Sequence, residues 1–264
     1  MIRIGIAGIP HHTKGEGTEA GIRYLCDAGL DAMEAQFVRS VYMTPESALR
    51  SRAVAEECRM SLSIHAPYYI NFTSKNKATR EKSREWMLKS LRLAEPLGAR
   101  IVVCHPARER EPEVLKQYLS ELSDTRKKEG IKALIGLETT GDAPEFGSVD
   151  DYLDILKEVP GTDIVIDWSH LHARTNGALK AKADYEAVFN KLKTVKTNDF
   201  HMHFSNVEYK NGREVRHLPI DGQPPFAPLA RILKERGLNA TIICESPLLE
   251  EDALKMKKIL DGAH

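Results

Sequence analysis

No stretch of about 18 uncharged apolar residues occurs in the chain, which excludes a membrane-spanning helix. No C-x-x-C pair occurs either. The four cysteines, Cys26, Cys58, Cys104 and Cys244, lie far apart and read as buried free thiols in a reducing cytosol, so a cytoplasmic location is expected. Net charge is absent as well: 38 basic residues balance 38 acidic ones, so no global field draws the chain to nucleic acid or membrane, and any anion site must be local. The opening Met1-Ile2-Arg3-Ile4-Gly5-Ile6 is already strand-like, without a signal-peptide layout. Linkers and low-complexity segments are missing too. What remains is a 264-residue chain with 42% hydrophobic content, enough for one large core.

Within that chain, strand-like and helix-like segments alternate without a break. A strand over Ile2 to Ala7 precedes a helix over Thr18 to Ala28, stopped by Gly29. A strand over Ala32 to Phe37 precedes a helix that Thr44 caps and Pro45 opens. The pattern repeats to the last helix around Leu254, Met256 and Ile259, with one hairpin-like excursion turning at Asn211-Gly212. Eight β/α units without a linker imply a parallel sheet covered by helices, and eight such units suggest one closed (β/α)8 barrel, a TIM barrel, over residues 1–264. An open doubly wound sheet would usually carry a glycine-rich phosphate turn after its first strand, and Gly5 and Gly8 do not make that fingerprint.

The informative stretch is Ile164-Val165-Ile166-Asp167-Trp168-Ser169-His170. A buried apolar run ends in a carboxylate, and an imidazole follows three residues later. Alone, Asp167 reads as a helix N-cap or an ion-pair partner. The same event recurs, however: runs end in His65, His105, Glu138, His203 and Glu245, making six strand-like runs that finish in a metal-ligand residue type. In a closed barrel the C-terminal strand ends converge on one mouth, so these residues become neighbours. Cys104 and Cys244, each one residue before such a ligand, point to the opposite side of their strands and pack.

These residues carry a family resemblance. Ser63-Ile64-His65-Ala66-Pro67-Tyr68, His105-Pro106, Glu138-Thr139-Thr140-Gly141, Asp167-Trp168-Ser169-His170, Met202-His203-Phe204, Arg216-His217 and Glu245-Ser246-Pro247 together resemble the apurinic/apyrimidinic endonuclease IV family, within the larger xylose-isomerase-like barrel group. The resemblance runs in order from His65 to Glu245 and implies a zinc-dependent DNA repair endonuclease that cleaves duplex DNA 5′ to an abasic site. It implies that His65 and His105 bind a first zinc, with Glu138 bridging to a second. Asp167, His203 and Glu245 complete the second, and His170 and His217 hold a third. Glu138 and Glu245 are the carboxylates expected to be catalytic. Zinc takes nitrogen and carboxylate ligands, with manganese as the alternative ion. Metal-bound water reaches a pKa of about 7, so hydroxide is available at neutral pH.

Each piece has a plainer reading. A lone strand-end histidine is usually a hydrogen-bonded polar residue, and His11 and His12 are left as that. His264 ends the chain as given, and His172 is not assigned. His201 shares a strand face with His203 and is placed to orient a ligand. Tyr68 and Tyr69 cover the mouth, and the resemblance implies that their loop enters the DNA minor groove. Phosphate contacts are expected from Lys75, Lys77, Arg80, Arg174, Lys210 and Arg213, against a solvated charged face as the bland alternative. The chain is expected to act as a monomer, with no membrane partner.

Three positions depart from the family pattern. Val215 stands where an Asp two residues before His217 is usual, His203-Phe204-Ser205-Asn206 replaces His-Leu-Asn-Asp, and Trp168 replaces a small residue. Residues two apart on a strand share a face, so Val215 should point where the Asp would be and Glu214 away from it. Two filled metal sites and a weak third are expected. The rival reading is a sugar isomerase or epimerase of the same group, using one ion on Glu138, Asp167, His203 and Glu245. It leaves His65, His105, His170 and His217 without a task.

Overall fold

A computed structural model describes residues 1–195, 197 and 199–263; His264 lies outside the described residues. Eight parallel strands close into a barrel: β1 (Ile2–Ala7), β2 (Ala32–Gln36), β3 (Ser61–His65), β4 (Ile101–Cys104), β5 (Leu134–Glu138), β6 (Thr162–Asp167), β7 (Asp199–Phe204) and, last in the chain, β10 (Asn239–Cys244). Around the barrel the order is β1-β10-β7-β6-β5-β4-β3-β2, sequential once the hairpin is set aside. That hairpin, β8 (Asn206–Lys210) and β9 (Arg213–Leu218), is antiparallel and rises from the mouth after β7. Asn211 and Gly212 both have positive φ, 53° and 71°, as the tight turn between them requires.

The helices cover the barrel as the alternation implies. Helix α2 (Pro45–Glu57) begins in a reciprocal capping box between Thr44 and Ser47. Helix α3 (Lys77–Leu97) ends at Gly98, whose φ of 72° is the left-handed C-cap expected of a glycine there. The main core lies between strands and helices and includes Cys104 and Cys244. Cys26 and Cys58, expected to be buried, are only partly so, because they pack at the rim of that core. Inside the barrel, Ala7, Ala32 and Ile243 form one small apolar cluster and Ile101, Val103 and Val165 another.

One difference from the sequence reading concerns the mouth. A short helix, α6 (Trp168–Arg174), starts directly after β6, ahead of the expected helix around Tyr185, which is α7 (Lys182–Lys191). His11 and His12 form a 3-10 turn pinned to the start of α9 (Glu250–Asp261): the buried Glu250 carboxylate accepts both backbone N–H groups and sits 2.8 Å from His12 Nδ1. None of the described helices is long and apolar enough to cross a membrane.

Candidate metal centre

The strand ends bring the expected residues together. Glu138, at the end of β5 and fully buried, is the centre. Its Oε2 lies 3.0 Å from His65 Nε2 and 3.1 Å from His105 Nε2. Its Oε1 lies 3.0 Å from His203 Nδ1 and 3.4 Å from His170 Nδ1. One carboxylate oxygen thus serves each of two groups of donors. His65, His105 and Glu138 are close enough to share an ion, as are Glu138, Asp167, His203 and Glu245, and Asp167, His170 and His217; deeper in the barrel, Glu34, His201 and His203 form a fourth such group.

The imidazoles are aimed by their other nitrogens. His65 Nδ1 meets the Ala66 carbonyl at 2.8 Å, and His170 Nδ1 meets the Thr139 carbonyl at 2.8 Å. His217 Nδ1 meets the Ser205 hydroxyl at 2.9 Å. Each of these rings therefore presents Nε2 inward, the arrangement by which outer partners fix tautomer and orientation of a metal ligand.

Asp167 divides its two oxygens between a helix cap and the cluster. Its Oδ1 caps α6, accepting the His170 backbone N–H at 2.7 Å. Its Oδ2 is buried without a hydrogen-bond partner. An orphaned carboxylate oxygen is costly in a core. Here it faces a neighbourhood of imidazole and carboxylate donors, which is a chemical fit for a bound cation of the zinc type.

Charge in the cluster follows the same pattern. Burial pushes the Glu138 carboxyl up, but His105, His203 and His65 outweigh it and hold it well below its ordinary value. Burial also pushes Glu245 up, and there Glu138 and Asp167 reinforce it, so Glu245 reaches about 7 despite His203 and His217. Burial pulls His105 down to about 4, whereas the surrounding carboxylates lift His170 and His203 well above the usual histidine range against the same burial.

The third group departs from expectation. Val215 does not point inward; it is 56% exposed. Glu214 takes the place of the missing carboxylate. Its Oε2 lies 2.9 Å from His170 Nε2 and its Oε1 3.0 Å from His217 Nε2. The cause is a break in the hairpin ladder: Glu208 pairs with Arg216, but the next residue, Tyr209, pairs with Glu214, leaving Val215 as the extra residue of a bulge. The bulge turns Glu214 onto the face of His217, so the premise for a weak third site does not hold. Gly141 makes room for it: a Cβ there would lie 2.8 Å from both Glu214 Cβ and Oε2.

A cavity of about 630 Å³ opens above the cluster, lined among others by Gln36, Tyr68, Arg108, Glu145, Glu214 and Glu245. Tyr68 stacks obliquely beside His65, ring centres 4.9 Å apart, while Tyr69 is 54% exposed at the rim near Trp86. Lys75, Lys77 and Lys210 are exposed. Arg213 is exposed 3.5 Å from Asp142. Arg80 and Arg174 are instead engaged by the protein: Arg80 donates to the Ser74 carbonyl at 2.6 Å, and Arg174 to the Thr140 carbonyl at 2.7 Å and the Glu145 carbonyl at 3.2 Å.

Sequence reasoning missed Gln36, Arg108 and Glu34. Gln36 Nε2 reaches Glu245 Oε1 at 3.5 Å. Arg108 follows the His105-Pro106 motif by three residues, and its backbone is tied on both sides, to Thr73 Oγ1 and to the Phe146 N–H. A basic residue just past a ligand-bearing strand end was the available signal.

The chain is 30% identical to an uncharacterised protein of Methanocaldococcus jannaschii, over 98% of this chain and 96% of that protein. It is 26% identical to a probable endonuclease 4 of Streptomyces avermitilis, over 75% of this chain and 70% of the relative. Among solved structures, a D-tagatose 3-epimerase-like protein superposes with a TM-score of 0.75 at 22% identity, covering 98% of this chain and 96% of the other. Endonuclease IV from Thermus thermophilus superposes with the same TM-score of 0.75 at 20% identity, covering 98% and 97%. Nuclease and epimerase backbones therefore fit equally well, and the fold does not choose between them. Residues 22–261 match the model of the xylose isomerase-like TIM barrel, and the chain belongs to that family.

Proposed function

We propose that this protein is a metal-dependent phosphodiesterase of the endonuclease IV type, incising duplex DNA 5′ to an abasic site and leaving a 3′-hydroxyl. The observation that carries the reading is the Glu214 carboxylate across His170 and His217. It adds a second carboxylate beside a third group of donors, Asp167, His170 and His217, next to the two groups that meet at Glu138. A one-ion epimerase is served by Glu138, Asp167, His203 and Glu245 alone, and gives no reason for a bulge that delivers a further carboxylate to two further histidines.

On this reading His65, His105 and Glu138 hold one ion, Glu138, Asp167, His203 and Glu245 a second, and His170, His217 and Glu214 a third. When bound, such ions activate water at neutral pH and neutralise charge on a phosphodiester. The chain's own residues do the rest. Glu138 keeps two groups of ligands in register through its two oxygens. Gln36 holds Glu245 from the side of the cavity. Arg108, on a backbone fixed by Thr73 and Phe146, offers a guanidinium to a backbone phosphate, where a planar fork suits the anion. Tyr68 and Tyr69 present aromatic faces to the sugar and bases beside the gap. Lys75, Lys77 and Lys210 lie where flanking phosphates would pass.

The test is incubation of the zinc-loaded protein with a 5′-labelled duplex carrying one abasic site. The expected product ends immediately 5′ to the lesion and is extended by a DNA polymerase, which requires a 3′-hydroxyl. Ketose epimerisation with no incision would replace this reading with the one-ion sugar enzyme.

A further inference from the structure

Below the candidate metal centre, inside the barrel, lies a polar group that the reading above does not use. Glu34 sits mid-strand on β2, fully buried in a lumen that also holds two small apolar clusters. Its Oε2 accepts the Ser63 hydroxyl at 2.8 Å and meets His201 Nε2 at 2.9 Å. Its Oε1 lies 3.0 Å from His203 Nε2. The opposite nitrogen of the same ring, His203 Nδ1, lies 3.0 Å from Glu138 Oε1 and 3.6 Å from Glu245 Oε1.

A buried carboxylate among strands is an expensive choice where an aliphatic side chain would pack. Its neighbours indicate what it does. His65 and His217 turn Nδ1 outward, to a carbonyl or hydroxyl, and present Nε2; His170 Nδ1 also meets a carbonyl, that of Thr139, though it stays 3.4 Å from Glu138 Oε1. His203 is reversed: it presents Nδ1 to the carboxylates of the centre and turns Nε2 to Glu34. Ligation through Nδ1 requires the proton on Nε2, and a proton there, deep in the barrel, needs an acceptor. Glu34 Oε1 lies 3.0 Å away, and both it and His203 Nε2 are buried with no other hydrogen-bond partner, although the pair is not aligned as a hydrogen bond in this conformation. Ser63 and His201 in turn fix the carboxylate through its other oxygen.

We propose that Glu34 is a positioning residue for the metal centre: held by Ser63 and His201, it faces Nε2 of His203 and so presents Nδ1 to the ion that His203 shares with Glu138, Asp167 and Glu245. This rests on the centre binding metal, which the nuclease and epimerase readings have in common, so failure of DNA incision does not touch it. Glu34, His201 and His203 are themselves close enough to share an ion; on this proposal Glu34 acts through the His203 ring instead of as a ligand. Its effect passes through one imidazole, and His201 acts one step further back.

The experiment measures ion affinity, independently of turnover. Holoenzyme is titrated against a chromogenic chelator for wild type, Glu34→Gln, His203→Ala and the double variant. Glu34→Gln should weaken one ion about 10- to 100-fold, the scale for losing a carboxylate that orients a ligating histidine, while the other ions stay. In the His203→Ala background the same substitution should add nothing. Substitution with cobalt gives a second readout: the visible band of one ion should shift in Glu34→Gln, and Glu34→Leu should show the same shift if the first variant folds poorly. Wild-type affinity in both Glu34 variants would overturn the proposal. So would a further loss of an ion when Glu34 is replaced in the His203→Ala protein, because that would make Glu34 a ligand in its own right.

Discussion

The barrel and the hairpin both deliver ligands to the mouth, but they hold them differently. His65, Glu138, Asp167 and His203 stand at or near the ends of barrel strands, nearly or fully buried, and each of those strands pairs in parallel with two neighbours. Glu214 and His217 stand on a two-stranded ribbon paired on one side only, and their side chains are 24% and 22% exposed. A strand locked between two neighbours keeps its alternation of faces, so its ligands follow from sequence spacing. A ribbon can absorb an extra residue, and Val215 is that residue. The difference teaches that a missing ligand on a ribbon is not a missing charge.

The sharpest way to break the comparison is at its shared centre. Glu138→Gln should lower turnover by on the order of 10³-fold, the scale of removing a group that stabilises transition-state charge, with the fold retained by circular dichroism. Near wild-type turnover would mean that Glu138 does not join the first two groups.

The next effect separates ribbon from barrel. Glu214→Ala should remove one ion per chain and slow turnover by about 10²-fold, leaving the barrel-held ions in place. Val215→Asp should change neither. Gly141→Ala, which crowds Glu214 without altering charge, should reproduce part of the Glu214→Ala loss. Metal analysis of the three proteins checks this set; a gain of metal in Val215→Asp would show that the bulge is misplaced.

Metal removal exposes the ribbon's electrostatics. Burial pulls His217 down, but Glu214 and Glu245 outweigh it and lift it to about 9, from an ordinary 6.5. A histidine raised in the folded state adds stability below its unfolded value and loses it as pH climbs through the folded one. The Tm of chelator-treated protein should therefore fall between pH of about 6.5 and 9. Glu214→Gln should flatten that slope. A Tm that rises over the same window would contradict the pairing.

Smaller effects sort the basic residues. Arg174→Ala should cost about 1–2 kcal/mol of stability, because the Thr140 and Glu145 carbonyls lose their donor. Lys75→Ala and Lys77→Ala should leave Tm unchanged and each flatten the slope of log K against log salt for DNA by about 0.9.

Much of this was legible before the structure. The eight alternating units gave the closed barrel because alternation leaves few topologies. The ligand series was readable because strand ends in a barrel converge on one mouth. Capping at Thr44 and the stop at Gly98 were readable from local chemistry. Three things were not. Glu214 depends on a bulge that no spacing rule announces. Glu34 lies mid-strand, where its neighbours Ser63 and His201 come from distant strands, so nothing local marked it. Arg80 and Arg174 look like free cations in sequence, and only the fold shows the carbonyls that occupy them.

The central claim is that barrel and ribbon together build a three-ion centre. Plasma mass spectrometry on zinc-loaded wild type and Glu214→Ala tests it most directly. The account predicts close to three ions per chain in the first and two in the second. One ion per chain in both would contradict it and leave Glu138, Asp167, His203 and Glu245 as the whole of the metal site.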